Sequence, residues 1–298
     1  MPSASYGVAP PEYRLPDATA VGGVKLQVSD LARSRAFYTE VLGLGVIGEV
    51  DGHVALGDQG QGQQLVELFY ASGTKPVPRN GRLGLYHFAI LVPSREDLAR
   101  FVVHLAGLHL PFSSADHNVS EAIYLWDPDG LGIEVYADRP RITWRVNNGQ
   151  LVMATDWLDV AGLAAIAGDT PWNGMPRGAT MGHIHLSVGD LSIARAFYHE
   201  GLGFDATVWS YPGALFLSAG GYHHHLGANT WSSTAPTASD TDAKLLEWAL
   251  LLPEGRDVRR AALSMQNAGY DLEKVDEDRL IVDPWGTTLR LTTRGAKT

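Results

Sequence analysis

Residues 26–44 read LQVSDLARSRAFYTEVLGL, and residues 186–204 read LSVGDLSIARAFYHEGLGF. Each stretch begins with the apolar alternation of a β-strand and continues with an aspartate suited to cap a helix, Asp30 or Asp190. The apolar spacing of a helix follows and ends near a glycine. A direct internal repeat of this kind predicts a chain built from copies of one structural unit.

Two weaker copies of the unit are also present. YHFAILVPSREDLARF at residues 86–101 aligns with LEWALLLPEGRDVRRA at residues 246–261, and the turn DPDG at residues 127–130 aligns with DPWG at residues 283–286. Strand-like segments follow each predicted helix, so that every unit has the order βαβββ. We therefore predict an α+β fold of four βαβββ modules that begin near residues 22, 85, 181 and 245.

The repeat also divides the chain along its length. We assign residues 1–19 to an extended N-terminal arm, 20–137 to a first domain of two modules, 138–180 to a linker and 181–298 to a second domain of two modules. The linker is predicted to contain a short helix capped by Thr155 or Asp156. Because a single module leaves one sheet face unburied, the modules should pair into open, barrel-like cups. Neighbours along the chain could pair, or the second module could pair with the third.

Composition narrows the class of function. The formal net charge is −10 and no cluster of lysine or arginine is present, which argues against binding to a nucleic-acid backbone. No apolar run is long enough to span a membrane, and the start of the chain does not read as a secretory leader, so we expect a cytoplasmic protein. The chain has no cysteine, so any metal must be held by His, Asp or Glu.

The stretch HNVSEAIYLWDPDGLGIE at residues 117–134 combines several groups that could take part in chemistry. Its Pro-Asp-Gly turn lies between two apolar runs, which predicts a β-hairpin. Tyr124 and Glu134 would then lie on adjacent strands. A glutamate within an apolar strand is rarely buried unless it is paired or bound to a cation.

Together, the four units and this stretch resemble the vicinal-oxygen-chelate superfamily, in the arrangement of extradiol ring-cleaving dioxygenases of the catechol 2,3-dioxygenase type. The resemblance covers residues from about 20 to 293. The positions that match the extradiol signature are His117, Ile123, Tyr124, Asp127, Pro128, Gly130 and Glu134. Ala115 departs from the usual pattern by one small residue for another.

In this superfamily the metal ligands lie at the start of the first strand and on the inner face of the last strand of a unit. The candidates are Gly23, His87, His183 and Glu247 for the first place, and Glu67, Glu134, one of His223–His225 and Arg290 for the second. The resemblance implies a metal site of His87, Glu134 and His183, a set suited to Fe(II) and also to Mn(II). This set favours pairing of the second module with the third. His185 is an alternative ligand, and Glu67 and Glu247 are interpreted as remnants or ion-pair residues.

The resemblance also implies residues around the metal. We expect His225, with His223 as the alternative, to serve as acid and base. His117 and Tyr124 are expected to be further catalytic groups that bind the substrate oxygens. Strand alternation would place His223 and His225 on one face, with His224 on the other. Residues expected to contact the substrate are His223, Asn229 and Tyr136; Trp126 and Trp231 are further candidates for the pocket wall.

The function implied by the resemblance is an Fe(II)-dependent extradiol dioxygenase. Such an enzyme cleaves a catechol-type ring with O₂ and gives a muconic semialdehyde. Two alternatives stay open, a glyoxalase-like metal-dependent lyase or isomerase, and a non-catalytic protein that binds a small molecule in the cup. The expected partners are the aromatic substrate and O₂, and the N-terminal arm could contribute to a homo-oligomer.

Overall fold

The computed structural model describes residues 6–60 and 63–294, and in it four βαβββ units follow one another along the chain. The first unit consists of β1 (Ala20–Val28), α1 (Leu31–Glu40), β2 (Gly45–Val50), β3 (His53–Gly57) and β4 (Gln64–Tyr70). The second consists of β5 (Gly84–Leu91), α2 (Arg95–Gly107), β6 (Ser113–Asp116), β7 (Ser120–Trp126) and β8 (Gly132–Asp138).

The segment after the second unit contains β9 (Val146–Asn147), β10 (Gln150–Leu151) and α3 (Val160–Ala165). The third unit consists of β11 (Thr180–Ser187), α4 (Leu191–Ala194) continued by a π-helix (Arg195–Gly201), β12 (Asp205–Val208), β13 (Ala214–Ser218) and β14 (Leu226–Asn229). The fourth consists of β15 (Lys244–Leu252), α5 (Gly255–Asn267), β16 (Glu273–Val275), β17 (Asp278–Val282) and β18 (Thr288–Thr293). The predicted α+β fold of four modules is confirmed.

The aspartates of the repeat cap the helices as predicted. The Asp30 carboxylate accepts a hydrogen bond from the Arg33 backbone N–H at 3.0 Å. Asp190 accepts hydrogen bonds from the backbone N–H groups of Ser192 and Ile193. Each cap satisfies backbone donors that have no partner inside the first helical turn.

The units pair into two eight-stranded sheets. The second and third units form what we call the inner sheet, with strand order β12-β13-β14-β11-β5-β8-β7-β6. The first and fourth units form the outer sheet, with strand order β16-β17-β18-β15-β1-β4-β3-β2. Of the two pairings compatible with the sequence, the structure therefore has the one that joins the second unit to the third. Each sheet takes one unit from either side of residues 138–180.

The two sheets share one apolar core, and tyrosines of the repeat tie them together. Tyr38 of α1 donates a hydrogen bond to Asp127 in the turn between β7 and β8, at 3.1 Å. Tyr198 of the third unit donates in the same way to Asp283 in the fourth, at 2.8 Å. Both tyrosines are fully buried, so they combine a core role with a specific polar contact.

The linker helix begins later than expected. Asp159 caps α3 by accepting a hydrogen bond from Gly162, so the prediction that Thr155 or Asp156 caps it is wrong. Thr155 instead bonds the Tyr211 hydroxyl at 2.8 Å, and the Asp156 backbone pairs with that of Asp116. These contacts draw residues 155–156 toward the inner sheet.

The N-terminal arm packs against the same chain. Residues 1–5 of the predicted arm lie outside the described residues. Further along, Val8 pairs with Ala206 of β12, and Leu15 is buried in the main core. Within the described part of the chain, no helix is both long and apolar enough to cross a membrane.

Candidate metal centre and active site

Three adjacent strands of the inner sheet bring His87, Glu134 and His183 together. β5 lies between β8 and β11, and Ala89 of β5 is in register with both Glu134 and His183. The Glu134 carboxylate oxygen Oε2 is 2.9 Å from His87 Nε2 and 3.2 Å from His183 Nε2. All three side chains are buried, and their ligand atoms lie within 4.8 Å of one another.

The arrangement of these atoms would fit a metal ion, and His183 Nε2 also lies within hydrogen-bond distance of Glu134. His87 Nε2 is buried and, despite its closeness to Glu134, has no aligned hydrogen-bond partner among the described residues. Two imidazole nitrogens converge on one carboxylate oxygen. Ligands at about 2.0–2.2 Å from a metal and at right angles to each other lie roughly 3 Å apart, which matches these separations.

The charge state of the cluster also suits a cation. Burial alone would raise the pKa of Glu134, but the two neighbouring imidazoles hold this pKa well below its usual range. Burial lowers the pKa of His87 and of His183. A carboxylate with two neutral imidazoles is the form in which these side chains bind metal. This form carries one net negative charge, which a bound cation would balance.

A cavity of about 320 Å³ opens onto these three residues. This volume lies at the lower end of the range of roughly 300–1,000 Å³ for small-ligand pockets. Its aromatic lining residues, apart from the histidines, are Tyr86, Tyr124, Trp126, Tyr211, Phe216 and Trp231. Trp126 and Trp231 therefore lie in the pocket wall, as predicted. The cavity is suited to a flat apolar ring.

His117 and Tyr124 form a hydrogen-bonded pair inside this cavity. Because the carbonyl of Ala154 can only accept, His117 Nδ1–H donates to it, at 2.5 Å. His117 Nε2 is then an acceptor for the Tyr124 hydroxyl, also at 2.5 Å. Burial and the negative charge of Glu134 raise the pKa of Tyr124 well above its usual value. Tyr124 is thus a protonated donor beside the three candidate ligands.

The segment His223–His225 does not lie on a strand, so the prediction from strand alternation is wrong. Gly220 and Gly221 both have positive φ, and the turn they form delays the start of β14 to Leu226. As a result His224, rather than His223 or His225, lines the cavity. The His224 ring lies 4.1 Å from that of His183, and burial lowers the pKa of His224 well below its usual value.

The structure places His225 outside the cavity. Its Nδ1 accepts a hydrogen bond from the Ala219 backbone N–H at 3.2 Å, so the ring faces the turn before it. His225 instead lines a second cavity of about 270 Å³, together with Arg141 and Arg294. His224, and not His225, therefore lies at the cavity wall beside the three candidate ligands.

Tyr136, His223 and Asn229 also lie behind the cavity wall rather than in it. The Tyr136 hydroxyl is 2.6 Å from that of Tyr222, and its ring packs against His183. His223 is fully buried and contacts Asp138. Asn229 is fully buried in β14, and its Oδ1 accepts a hydrogen bond from the Trp231 backbone. The structure therefore does not place these three side chains where they would contact a substrate in the cavity.

His185 lines the cavity but stands apart from the three candidate ligands. It is in register with His87 across the β5–β11 pair, with ring centroids 4.9 Å apart. Its Nε2 is buried and has no partner within the described residues. The alternative that His185 replaces His183 as a ligand is not favoured, because His183 alone of the two approaches Glu134.

Strand register shows why the described residues of the outer sheet form no equivalent cluster. Glu134 lies opposite Ala89, and by the same pairing Arg290 lies opposite Ala249 in the fourth unit. Arg290 binds Glu247 through two hydrogen bonds of 2.6 and 3.0 Å. Glu67 contacts Lys25 at 3.2 Å. The interpretation of Glu67 and Glu247 as ion-pair residues agrees with these contacts.

Strand register also corrects the last-strand ligand candidate that was predicted for the third unit. The position equivalent to Glu134 in that unit is Gly227, opposite His185, and not one of His223–His225. A side chain at Gly227 would meet the His185 ring. The glycine therefore leaves room for His185, and the third unit contributes only its first-strand histidine to the cluster.

Comparison with known proteins agrees with this architecture. The family model of the Glyoxalase/Bleomycin resistance protein/Dioxygenase superfamily matches residues 20–135 and 180–282. A catechol-2,3-dioxygenase of Bacillus subtilis (strain 168) is 41% identical over 270 residues, which cover 89% of this chain and 94% of the relative.

Solved structures show the same fold at low identity. A Bacillus subtilis protein with a provisional description as a dioxygenase gives a TM-score of 0.65 at 14% identity, covering 95% of this chain and 87% of the other. Glyoxalase I from Zea mays gives a TM-score of 0.54 at 17% identity, covering 92% of both chains.

Proposed function

The chain belongs to the Glyoxalase/Bleomycin resistance protein/Dioxygenase superfamily, and we propose that it acts there as an Fe(II)-dependent extradiol dioxygenase. The proposed reaction cleaves a catechol-type ring with O₂ and yields a muconic semialdehyde. The 41% identical relative is named for this kind of activity, which supports the proposal.

One observation carries the proposal. The same cavity holds the cluster His87, Glu134 and His183 and the hydrogen-bonded pair His117–Tyr124. A metal site alone would suit many members of the superfamily. A hydrogen-bonded donor and acceptor beside it, within aromatic walls, suit a substrate that brings two ring oxygens to the metal.

The three candidate ligands would hold the metal in its place. Two neutral imidazoles and one carboxylate are typical of non-haem Fe(II) sites that keep open positions. Bound Fe(II) would supply a centre that holds the catechol and O₂ together and couples them electronically. Glu134 is the single anion of the set, so it balances part of the charge of the metal.

Tyr124 would orient the ring substrate. Its hydroxyl is a donor next to Glu134, and His117 Nε2 is an acceptor for the same proton. A substrate oxygen near the metal could take the Tyr124 hydrogen bond in place of His117. The Ala154 carbonyl keeps the His117 ring in one tautomer while this exchange takes place.

The aromatic walls would exclude water from the reacting ring. Trp126, Phe216 and Trp231 offer apolar surface around the ligand cluster. Exclusion of water strengthens the hydrogen bonds made inside the cavity. The same walls favour stacking or edge contacts with an aromatic substrate.

The experiment is to load the purified protein with Fe(II) without oxygen and then add catechol in air-saturated buffer. We expect a yellow ring-cleavage product, with one O₂ consumed for each catechol. Glu134→Gln should lose this activity, whereas Glu247→Gln, at an ion-paired site of the outer sheet, should keep it. Loading with Mn(II) in parallel decides which of the two metals supports turnover.

Two outcomes would contradict the proposal. Turnover of a thiohemiacetal or another non-catechol substrate without O₂ would favour a glyoxalase-like lyase or isomerase. Tight binding of catechol without stoichiometric metal and without turnover would favour a non-catalytic binding protein. We also propose a cytoplasmic location, since a chain without cysteine suits a reducing compartment.

A further inference from the structure

A chain of hydrogen bonds leads from the cavity to a carboxylate at the end of β8. His224, which lines the cavity, has its Nδ1 at 2.7 Å from His223 Nδ1. His223 Nε2 lies 3.0 Å from Asp138 Oδ1. Asp138 is the last residue of the strand that carries Glu134. The chain therefore runs from the cavity wall back to the strand of the metal cluster.

The chemistry of these groups fixes the direction of the chain. A carboxylate can only accept, so the hydrogen between Asp138 and His223 belongs to His223 Nε2. In an uncharged ring, His223 Nδ1 is then a bare acceptor. The hydrogen between the two rings therefore belongs to His224 Nδ1, and His224 Nε2 is left without one.

The remaining nitrogen of His224 is available to a ligand. The His224 ring lines the cavity beside His183. Its Nε2 makes no hydrogen bond to any residue that the structure describes. It is thus an acceptor close to where a ring hydroxyl would lie if the substrate is held at the metal.

We propose that Asp138 is a positioning residue that acts through His223 to hold His224 in the tautomer whose Nε2 accepts a hydrogen bond from a substrate hydroxyl. The inference rests on the proposed dioxygenase function, because it needs a hydroxylated ring in the cavity. Neither Asp138 nor His223 contacts the cavity itself. They would affect the reaction only by fixing the orientation of the His224 ring.

The surroundings of Asp138 supply a matched control. The Tyr222 hydroxyl donates to the same oxygen, Asp138 Oδ1, at 3.0 Å. Tyr222→Phe removes one hydrogen bond from this carboxylate but leaves the link to His223 in place. If Asp138 had a purely structural role, Tyr222→Phe and Asp138→Ala would have similar effects on kcat. If it positions His224, only Asp138→Ala should lower kcat.

The test compares steady-state kinetics of the Fe(II)-loaded wild type with Asp138→Ala, His223→Phe and the double variant. We expect each single variant to lower kcat about 10–100-fold, as is typical for residues that orient a group at a metal site, with KM changed less than about threefold. The double variant should be no worse than either single one, because both break the same chain. Asp138→Asn, which keeps an acceptor oxygen, should recover most of kcat, and Tyr222→Phe should stay within about twofold of wild type.

A spectroscopic measurement tests the tautomer directly. Protein labelled with ¹⁵N-histidine and loaded with diamagnetic Zn(II) should show His224 protonated at Nδ1. In His223→Phe that assignment should be lost while the metal content is unchanged. A wild-type His224 protonated at Nε2 would overturn the inference, as would an Asp138→Ala variant with the wild-type kcat. Absence of ring cleavage by the wild type would instead refute the proposed function.

Discussion

The hydroxyl of Tyr38 and the carboxylate of Asp127 join two units that do not share a sheet. Tyr38 lies on α1, the helix of the first unit, whose strands are part of the outer sheet. Asp127 is the first residue of the turn that leads into β8 of the inner sheet. The Asp127 carboxylate also accepts hydrogen bonds from the backbone of Asp129 and Leu131, so it shapes the turn as well. Tyr–Asp contacts thus link the first unit to the second and the third to the fourth, whereas the sheets link the second unit to the third and the first to the fourth.

Tyr38→Phe should weaken this link without opening a cavity. We expect the free energy of unfolding to fall by about 1–3 kcal/mol, since a buried carboxylate loses a hydrogen bond. Chemical denaturation of the two proteins measures the difference. Tyr198→Phe breaks the equivalent contact with Asp283 and should have an effect of similar size. No loss in either variant would show that the tyrosines serve only as apolar core.

Asp127 should make stability depend on pH. Burial raises the pKa of Asp127 from 3.8 to about 7. Between these values the folded state binds more protons than the unfolded state, so stability should fall as pH rises from about 4 to 7. Asp127→Asn keeps the turn's acceptor oxygen and removes the titration. Its melting temperature relative to wild type should therefore be higher at pH 7.5 than at pH 5. An equal difference at both pH values would contradict the raised pKa.

Glu134 should determine both metal affinity and the stability of the metal-free protein. Glu134→Gln should lower Fe(II) affinity by at least about tenfold, because an amide replaces the anionic ligand. In the presence of a chelator this variant should melt no higher than the wild type, because the two imidazoles lower the pKa of Glu134 and so stabilise its carboxylate in the folded state. Metal analysis and thermal melts measure the two effects. Glu67→Gln, in the outer sheet, should keep full metal binding.

Tyr124→Phe should lower activity without loss of metal. The variant keeps the ring but removes the donor that we assign to the substrate oxygen, and we expect kcat/KM to fall about 10–100-fold. Metal content should equal that of wild type, because Tyr124 is not one of the three candidate ligands. Loss of metal together with activity would instead indicate that Tyr124 mainly supports Glu134, its neighbour across the β7–β8 pair.

Gly182 should tolerate no side chain. A methyl group there would overlap the Tyr136 hydroxyl, and Tyr136 packs against His183. We expect Gly182→Ala to cost about 1–3 kcal/mol or more and to weaken metal binding, as measured by denaturation and metal analysis. Gly107→Ala is the control. A methyl group at Gly107 meets no atom of the described residues within 4 Å, so it should not destabilise.

The repeat made most of the fold predictable, because apolar periodicity and helix caps are local signals. The resemblance to the superfamily implied the cluster His87, Glu134 and His183, and strand register brings these residues together. The sequence did not predict which of the three consecutive histidines faces the cavity. Three consecutive histidines look like a strand end, and only the left-handed backbone at Gly220 and Gly221 reveals the turn. A Gly-Gly pair before the histidines was the available signal.

Residues far apart in sequence account for the rest of what was missed. The Tyr211 hydroxyl and the Ala154 carbonyl reach the cavity from the β12–β13 connection and from the linker, and no periodicity links them to the metal cluster. Asp138 is similar, since its contact with His223 spans 85 positions of sequence. Such contacts depend on which units pair, and the sequence left that pairing open.

The outer sheet neutralises Glu67 and Glu247 with Lys25 and Arg290, cations of its own sequence. In the inner sheet, Glu134 contacts His87 and His183, and under the proposed function a metal ion taken up from the medium would balance its charge. The outer sheet therefore balances these glutamates with side chains of the chain itself, whereas the proposed site in the inner sheet would be complete only with bound metal. When metal is removed, we expect amide hydrogen exchange to become faster in β5, β8 and β11 before it changes in β1 and β15. The strands that open first would then show whether metal is bound.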